Sequence, residues 1–232
     1  MKSFSYLRHG SGVGADGSSA QWRDLVLVRH RAADPAARPH RVAYCAVRRG
    51  RRAPEHDAVV VSWFADGVDD GAWVADVEAG WGSGLVEVAA STTVRVDERF
   101  VRGGDELAAW RAACDGTSRL VLLVRIEAAA GTSRAEYRDY WWNVHRPFAD
   151  TQIVDGDTDW YVHNYVRPDD PSNWAGIAEM YDRSVEAARA RAAWMETDAA
   201  LALRQDEERF LVRETRAATV TDMSMIIDEG PR

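Results

Sequence analysis

Apolar and polar positions alternate along the chain in short runs, which predict a protein that mixes strands and helices. Stretches rich in β-branched and apolar residues predict β-strands at 24–30, 41–47, 58–64, 86–96, 120–127, 160–167, 177–182 and 210–220. Stretches with helical spacing predict α-helices at 71–79, 106–114, 133–148, 184–194 and 198–205. The order of these elements is typical of an α+β fold.

Two parts of the chain resemble each other. Leu25-Val-Leu-Val-Arg-His resembles Leu120-Val-Leu-Leu-Val-Arg-Ile, and Asp97-Glu-Arg-Phe-Val resembles Glu207-Glu-Arg-Phe-Leu. Each copy can be interpreted as strand, helix or loop, strand, strand, helix, strand, which is the split βαβ, ferredoxin-like plan. The proline-interrupted stretch 33–39 indicates that the first copy has lost its first helix.

A ferredoxin-like sheet carries helices on one face only, so its other face needs a cover. Two copies in one chain can supply that cover for each other. We therefore predict two ferredoxin-like βαββαβ-type units in tandem that form a pseudo-dimeric α/β barrel. The predicted domains are a flexible arm at 1–20, a degenerate unit at 21–117 and a second unit at 118–232.

The arm contains Gly12-Val-Gly-Ala-Asp-Gly17, formally a GxGxxG match. A dinucleotide site requires a strand before that motif and a helix after it. Here a polar leader precedes the motif and the run at 25–28 is expected to be a strand, so no nucleotide cofactor is predicted.

Composition narrows the partners. The net charge of −8 argues against nucleic acid, whose binding needs clustered basic residues. No apolar run approaches the roughly 18 residues that a membrane span needs. Cys45 and Cys114 lie far apart without metal or redox spacing, as expected for free thiols in a reducing cytoplasm. Lys2 is the only lysine among 29 basic residues, which together with the frequent Ala, Asp and Val suggests a GC-rich bacterial genome. No nucleic-acid or membrane partner is therefore predicted.

The helix predicted at 133–148 is the strongest candidate for a site. Ser133 and Glu136 have the spacing of a capping box, and Pro147 suggests that the regular helix ends by residue 145 or 146. Four aromatic side chains recur at spacings of four, four and three, and therefore share one face: Tyr137, Trp141, His145 and Phe148. Such a stripe is compatible with a packed core, but its polar rings favour a pocket for a planar organic molecule.

His145 is the best candidate for acid/base chemistry, because an imidazole exchanges protons near neutral pH. A position near a helix C-terminus would favour its cation through the helix dipole. Glu179 and Arg125 each interrupt an apolar strand, where a charge is costly without a partner. Either could position His145 or an enolate oxygen, Glu179 could itself act as the base, or the two could form a structural ion pair with each other.

Strand 160–167 places Tyr161 and His163 on one face and Asn164 on the other. The pattern leaves open which face lines the pocket, so all three are candidate substrate contacts, together with Tyr140 beside Trp141. The six histidines are scattered without HxH or HExxH spacing, and no metal site is predicted.

Residues 118–220 resemble the EthD family of the dimeric α/β-barrel superfamily. The resemblance rests on the strand at 120–127, the Ser-capped helix with its aromatic pair and helix-end His145, the second strand with Asn164, and Gly176-Ile-Ala-Glu179-Met-Tyr-Asp182. It implies a cavity between sheet and helices. Relatives in the superfamily include polyketide cyclases, dehydratases and decarboxylases, and anthrone-type oxygenases that need neither metal nor flavin.

The resemblance implies a cofactor-independent enzyme of secondary metabolism, a lyase or isomerase acting on an aromatic or polyketide-like substrate by cyclisation, dehydration or decarboxylation. Two alternatives stay open: a cofactor-free anthrone-type monooxygenase, and a non-catalytic binding protein. The first copy lacks a helix-end histidine in the aligned place, so the site is expected in the second copy. The internal duplication allows a monomer or a homodimer.

Overall fold

The computed structural model describes residues 1–9, 18–48, 55–79, 87, 91–152 and 158–230. Eight strands run antiparallel in the closed order β1-β3-β2-β8-β5-β7-β6-β4: β1 (Lys2–Leu7), β2 (Arg41–Val47), β3 (Ala58–Trp63), β4 (Thr92–Arg102), β5 (Ser118–Glu127), β6 (Thr158–Val166), β7 (Trp174–Asp182) and β8 (Ala217–Asp228). The α+β class, with an eight-stranded antiparallel barrel of pseudo-dimeric type, is confirmed. The GxGxxG motif lies outside the described residues.

Seven α-helices lie in the described part of the chain: α1 (Ser18–Ala32), α2 (Gly71–Glu78), α3 (Gly104–Ala113), α4 (Arg134–Tyr140), α5 (Arg146–Gln152), α6 (Val185–Trp194) and α7 (Leu201–Glu207). A π-helical segment, Trp141–His145, joins α4 to α5. Two compact units are distinguished, Met1–Val96 with Glu106–Ser118 and Thr221–Arg232, and Asp97–Asp105 with Arg119–Val220.

The first unit is complete rather than degenerate. Its elements follow the order β1, α1, β2, β3, α2, β4, the full βαββαβ plan. The prediction of a flexible arm was wrong for residues 2–7, because these residues form β1, which is buried throughout and pairs with both β3 and β4.

The predicted strand at 24–30 is instead part of α1, the helix thought to be lost. Trp22, Val26 and His30 are spaced by four residues and buried, while Val28 is exposed. The apolar run at 25–28 has the composition of a strand, but the buried residues recur every four positions, as on one face of a helix. The core of this unit packs α1 and α2 against the sheet through Trp22, Phe64 and Trp73.

The second unit has the sheet order β5-β7-β6 with α4 to α7. Facing residues of paired strands share a side of the sheet. Leu123 and Val162 both pair with Glu179, and Arg125 and Asn164 both pair with Ile177, so these residues lie on one side. Residues such as Val124, Ala178 and Tyr161 alternate with them and lie on the other side.

Helix α4 begins as predicted. The Ser133 side chain accepts from the Glu136 backbone N–H, and the Glu136 carboxylate accepts from the Ser133 N–H, which completes the capping box. Pro147 does not end the helix, which continues to Gln152. The preceding π turn, closed by the bond from Arg146 N–H to the Trp141 carbonyl, widens the helix where the proline lacks an N–H.

Candidate active site

His145 lies in the second unit at the last position of the π-helical segment, and only 7% of its surface is exposed. The π turn adds one residue to the helical repeat, so the stripe continues from Trp141 through His145 to Ala149 rather than to Phe148. Phe148 is half-buried and does not line the cavity that His145 and Ala149 face. Single π turns inside α-helices are frequent at functional sites.

The partner of His145 is Asp206, near the end of α7. The His145 Nδ1 and the Asp206 Oδ2 lie 2.7 Å apart. The other carboxylate oxygen, Oδ1, accepts a hydrogen bond of 2.7 Å from the Tyr140 hydroxyl. Asp206 is itself 7% exposed. Both oxygens are thus held, and the imidazole ring is fixed in orientation between α7 and the π turn.

This pairing determines the tautomer of the neutral imidazole. An ionised carboxylate can only accept hydrogen bonds, so Nδ1 carries the proton that is donated to Asp206. Nε2 then has a free lone pair and can accept a proton from another molecule. A histidine held in this way by a buried carboxylate has the arrangement of a general base.

His145 lines a cavity of about 370 Å³ within the second unit, and its partner Asp206 is not among the lining residues. The sheet contributes apolar walls, the helices contribute aromatic rings, and charged groups lie around them. The lining includes Leu122, Val124, Ile126, Ala178, Met180, Tyr161, Trp141, Phe210, Leu203, His145 and Glu207. The Phe210 ring lies 4.8 Å from the His145 ring, centroid to centroid. The volume is within the range of small-molecule sites, roughly 300–1,000 Å³.

Two further ionisable groups face this cavity. Burial raises the pKa of Glu207, although Arg216, at 3.0 Å, and His145 oppose that shift. Burial, and secondarily the charge of Glu207, raise the pKa of Tyr161 well above its usual range, while a hydrogen bond with Trp141 opposes the shift. Tyr161 therefore keeps its phenolic proton at neutral pH and can donate a hydrogen bond.

The structure separates the other predicted site residues from His145. Glu179 and Asn164 are fully buried on the opposite side of the sheet from Tyr161. The Glu179 carboxylate accepts hydrogen bonds from the Asn164 amide, at 3.1 Å, and from the Tyr181 hydroxyl. The Arg125 guanidinium lies over the Trp174 ring at 4.8 Å. Alternation places Arg125 and Glu179 on the side away from the cavity, so neither positions His145 there.

The remaining candidates form the shell behind the cavity wall. His163 is buried and stacks on Trp141 with ring centroids 3.7 Å apart, and burial lowers its pKa well below the usual range. Tyr137 is buried against Trp141 and Phe210. Tyr140 stacks on Phe210 and contacts the dyad through Asp206. Of the strand 160–167, Tyr161 lines the cavity.

Gly176 on β7 makes room for this shell. A Cβ atom there would lie 2.6 Å from a Trp141 ring carbon and 2.8 Å from the Tyr137 hydroxyl. The two rings thus approach the backbone of the sheet more closely than any other residue at 176 permits.

Sequence reasoning missed Asp206 and Glu207. Their neighbourhood, Gln205-Asp-Glu-Glu-Arg209, has the composition of a solvated helix end, yet both acids are buried while Glu208 and Arg209 are exposed. The available signal was Phe210, which follows the acids and recurs in the internal repeat. An aromatic residue directly after an acidic turn indicates that one side of the turn faces inward.

The first unit has a helix-end histidine after all, which corrects the prediction that it lacks one. His30 lies near the end of α1, and its Nε2 is 2.7 Å from the Pro39 carbonyl. Its ring packs edge-on against Trp73. A carbonyl oxygen only accepts, so Nε2 carries the proton of this hydrogen bond, and Nδ1 lies 3.7 Å from the Glu229 carboxylate. His30 therefore has no Nε2 lone pair to offer another molecule, which distinguishes it from His145.

Comparisons with known proteins agree on architecture. No family model and no curated protein matches the chain. The EthD resemblance therefore stays a prediction. One similar solved structure is described as an anthrone oxidase-like protein, with a TM-score of 0.56, 8% identity, and coverage of 99% of this chain and 94% of that one. Another is described as a "putative monooxygenase" from Lactobacillus acidophilus NCFM, with a TM-score of 0.53, 10% identity, and coverage of 99% and 96%. These likenesses show the fold.

Proposed function

We propose that this chain is a cofactor-independent enzyme in which His145 removes a proton from a planar aromatic or polyketide-like substrate, and that the resulting carbanion reacts with molecular oxygen. The observation that carries the proposal is the buried His145–Asp206 dyad, whose imidazole lines a cavity with apolar and aromatic walls and charged groups around them. A base in that setting meets a carbon acid more effectively than it would in water, because the cavity lowers the competition from solvent.

The lining of the cavity favours a flat substrate. Trp141 and Phe210 supply aromatic surfaces from the helical side, and the sheet supplies Tyr161 and branched aliphatic side chains such as Val124 and Ile126. Aromatic rings stack favourably on one another in offset or edge-on arrangements. A tricyclic phenolic ketone, such as an anthrone, has the required flat surface and also an acidic methylene group between two rings.

The proposed reaction balances without a cofactor. His145 Nε2 takes one methylene proton, and the carbanion transfers an electron to O2. The two radicals combine into a C–O bond, and His145 returns its proton to the resulting peroxide anion. Loss of the remaining C–H proton then breaks the O–O bond, releases the outer oxygen as water and leaves a carbonyl. The methylene group is oxidised to C=O, one oxygen atom of O2 enters the product, and the other leaves as water. Tyr161, which retains its proton, can donate a hydrogen bond to the oxyanion that forms on the ring ketone.

The descriptions of the two similar structures, an anthrone oxidase-like protein and a monooxygenase, support oxygenation among the reactions that begin with proton removal. At this level of identity they do so by analogy of fold.

A direct test uses 1,8-dihydroxyanthrone as the probe, with oxygen uptake and the absorbance of 1,8-dihydroxyanthraquinone as readouts. The wild type should accelerate both above the rate without enzyme, and product should stop forming under anaerobic conditions. His145→Ala should lower turnover by about 100-fold or more. Equal turnover in wild type and His145→Ala would contradict the proposal.

A second candidate is an acid/base lyase that cyclises or dehydrates a polyketide-like chain. Its support is that Tyr161 and His145 line the same cavity. The phenol keeps its proton and can donate a hydrogen bond to a substrate carbonyl, while the imidazole takes or returns the proton. Such an enzyme would work equally well without oxygen. A non-catalytic binding protein would retain probe affinity, with no rate that depends on His145.

A further inference from the structure

The cavity is more basic than the chain as a whole. The full sequence carries a net charge of −8, yet the residues lining the cavity include five arginines, at 102, 146, 191, 213 and 216, and three acids, at 150, 196 and 207. A site whose charge opposes that of the rest of the molecule concentrates ligands of the opposite sign. The excess of arginines over acids in the lining therefore favours the binding of an anionic ligand.

Four of these five arginines are neutralised within the second unit. Arg102 pairs with Asp150 at 3.5 Å, Arg191 with the buried Asp182, Arg216 with Glu207 at 3.0 Å, and Arg213 with Glu196 at 3.7 Å and with Glu207 at 3.5 Å. Arg146 differs from them, because no carboxylate pairs with it in the part of the chain that the structure describes.

Arg146 directly follows His145 and begins α5. Its guanidinium lies 4.3 Å from the centre of the Trp142 ring. A cation–π contact uses the flat face of the guanidinium and leaves the in-plane N–H groups unused. Its Nε is buried and has no hydrogen-bond partner. A buried donor without an acceptor is costly, and a bound ligand with an acceptor at that place would remove the cost.

We propose that Arg146 binds a carboxylate on the substrate, so that the natural substrate is an aromatic or polyketide-like carboxylic acid. A guanidinium holds a carboxylate through two parallel N–H···O bonds, which fixes orientation as well as affinity. Because Arg146 is adjacent to His145 in the chain and both line one cavity, the carboxylate orients the flat ring system relative to the base. This inference rests on the proposed function and specifies its substrate class.

A matched pair of probes tests the inference. Rhein and chrysophanol share the same dihydroxyanthraquinone skeleton, and rhein has a carboxyl group where chrysophanol has a methyl group. Their dissociation constants are measured by equilibrium dialysis at pH 7.5, where the rhein carboxyl group is ionised. The wild type should bind rhein at least about tenfold more tightly, the preference expected of one charge-assisted hydrogen-bonding pair. Arg146→Gln should lower the rhein affinity to that of chrysophanol and leave chrysophanol unchanged.

Arg102→Gln is the matched control, since it removes a lining arginine that already has an acid partner. It should keep the preference for rhein. Equal affinities in the wild type, no binding of rhein, or loss of both probes in folded Arg146→Gln would each overturn the inference. If Arg146→Gln does not fold, Arg146→Lys replaces it, because lysine keeps the charge without the paired N–H donors; an undiminished preference for rhein in that variant would overturn the inference.

Turnover is not part of this readout. A preference for rhein that disappears in Arg146→Gln, in a protein that oxidises neither 1,8-dihydroxyanthrone nor its 3-carboxy derivative, would support the carboxylate site and contradict the oxygenase.

Discussion

Asp206→Asn is the most informative substitution, because it changes one atom of the dyad and little of its shape. In the wild type the Asp206 carboxylate, at 2.7 Å, requires the proton on His145 Nδ1. An amide can present its NH2 group to Nδ1 instead, which places the imidazole proton on Nε2 and leaves that nitrogen without a lone pair for the substrate proton. A positioned general base is worth about 10²–10⁴ in rate. We therefore expect kcat for 1,8-dihydroxyanthrone to fall by about 100-fold or more.

Steady-state kinetics with 1,8-dihydroxyanthrone measure this loss, and KM should change little because the carboxylate is not a cavity-lining group. Glu208→Gln is the control: it neutralises an exposed acid two residues away on the same turn and should keep full activity. Tyr140→Phe, which removes the hydrogen bond to the other carboxylate oxygen, should have an intermediate effect. If Asp206→Asn keeps a kcat close to that of the wild type, the role assigned to the dyad is incorrect.

Two further predictions concern stability. Gly176→Ala should lower the free energy of unfolding by about 1–3 kcal/mol in urea titrations, because its Cβ would lie 2.6 Å from the Trp141 ring. An unchanged free energy of unfolding would show that the Trp141 and Tyr137 rings are not tightly packed against residue 176. The pKa of Glu207 is raised in the folded state, so the folded protein keeps the Glu207 proton to a higher pH than the unfolded chain does. The contribution of Glu207 to the free energy of unfolding therefore falls as the pH rises above 4.5, the ordinary pKa of a glutamate. Glu207→Gln should therefore gain stability relative to the wild type between pH 4 and pH 7, and a difference that does not vary with pH would refute the assignment.

The strands and helices of the second unit were largely predictable from the sequence, and the first helix of the first unit was not. In the second unit, strands such as 120–127 and the capped start at Ser133 combine periodicity with local signals that agree. In α1 the run Leu25–Val28 has strand-like composition, while Trp22, Val26 and His30 carry the helical period across it. Tertiary packing decided between the two patterns.

The helix that carries His145 was predictable from the sequence, but the acid that pairs with His145 was not. His145 and Trp141 share a helix face, which spacing reveals, but the π turn shifts the following residues and replaces Phe148 by Ala149 in the lining. No short-range pattern shows that α7 delivers Asp206 to His145, since 61 residues separate them. Glu179 was predicted as a site residue because an acid in an apolar strand is unusual. In the structure its partners are structural, since Asn164 and Tyr181 hydrogen-bond to it on the side of the sheet away from the cavity.

The described helices include none that is long and apolar enough to cross a membrane. The same described residues contain no group of three or more His, Cys, Asp or Glu side chains arranged to hold a metal ion.

Hydrogen exchange measures proton removal without the oxygen step, and it therefore tests the central claim most directly. 1,8-Dihydroxyanthrone deuterated at its methylene carbon is incubated anaerobically in ordinary water, and loss of deuterium is followed by mass spectrometry. The account predicts that the wild type accelerates this loss well above the rate in buffer, and that His145→Ala and Asp206→Asn reduce it towards the buffer rate. Exchange by His145→Ala as fast as by the wild type would contradict the account.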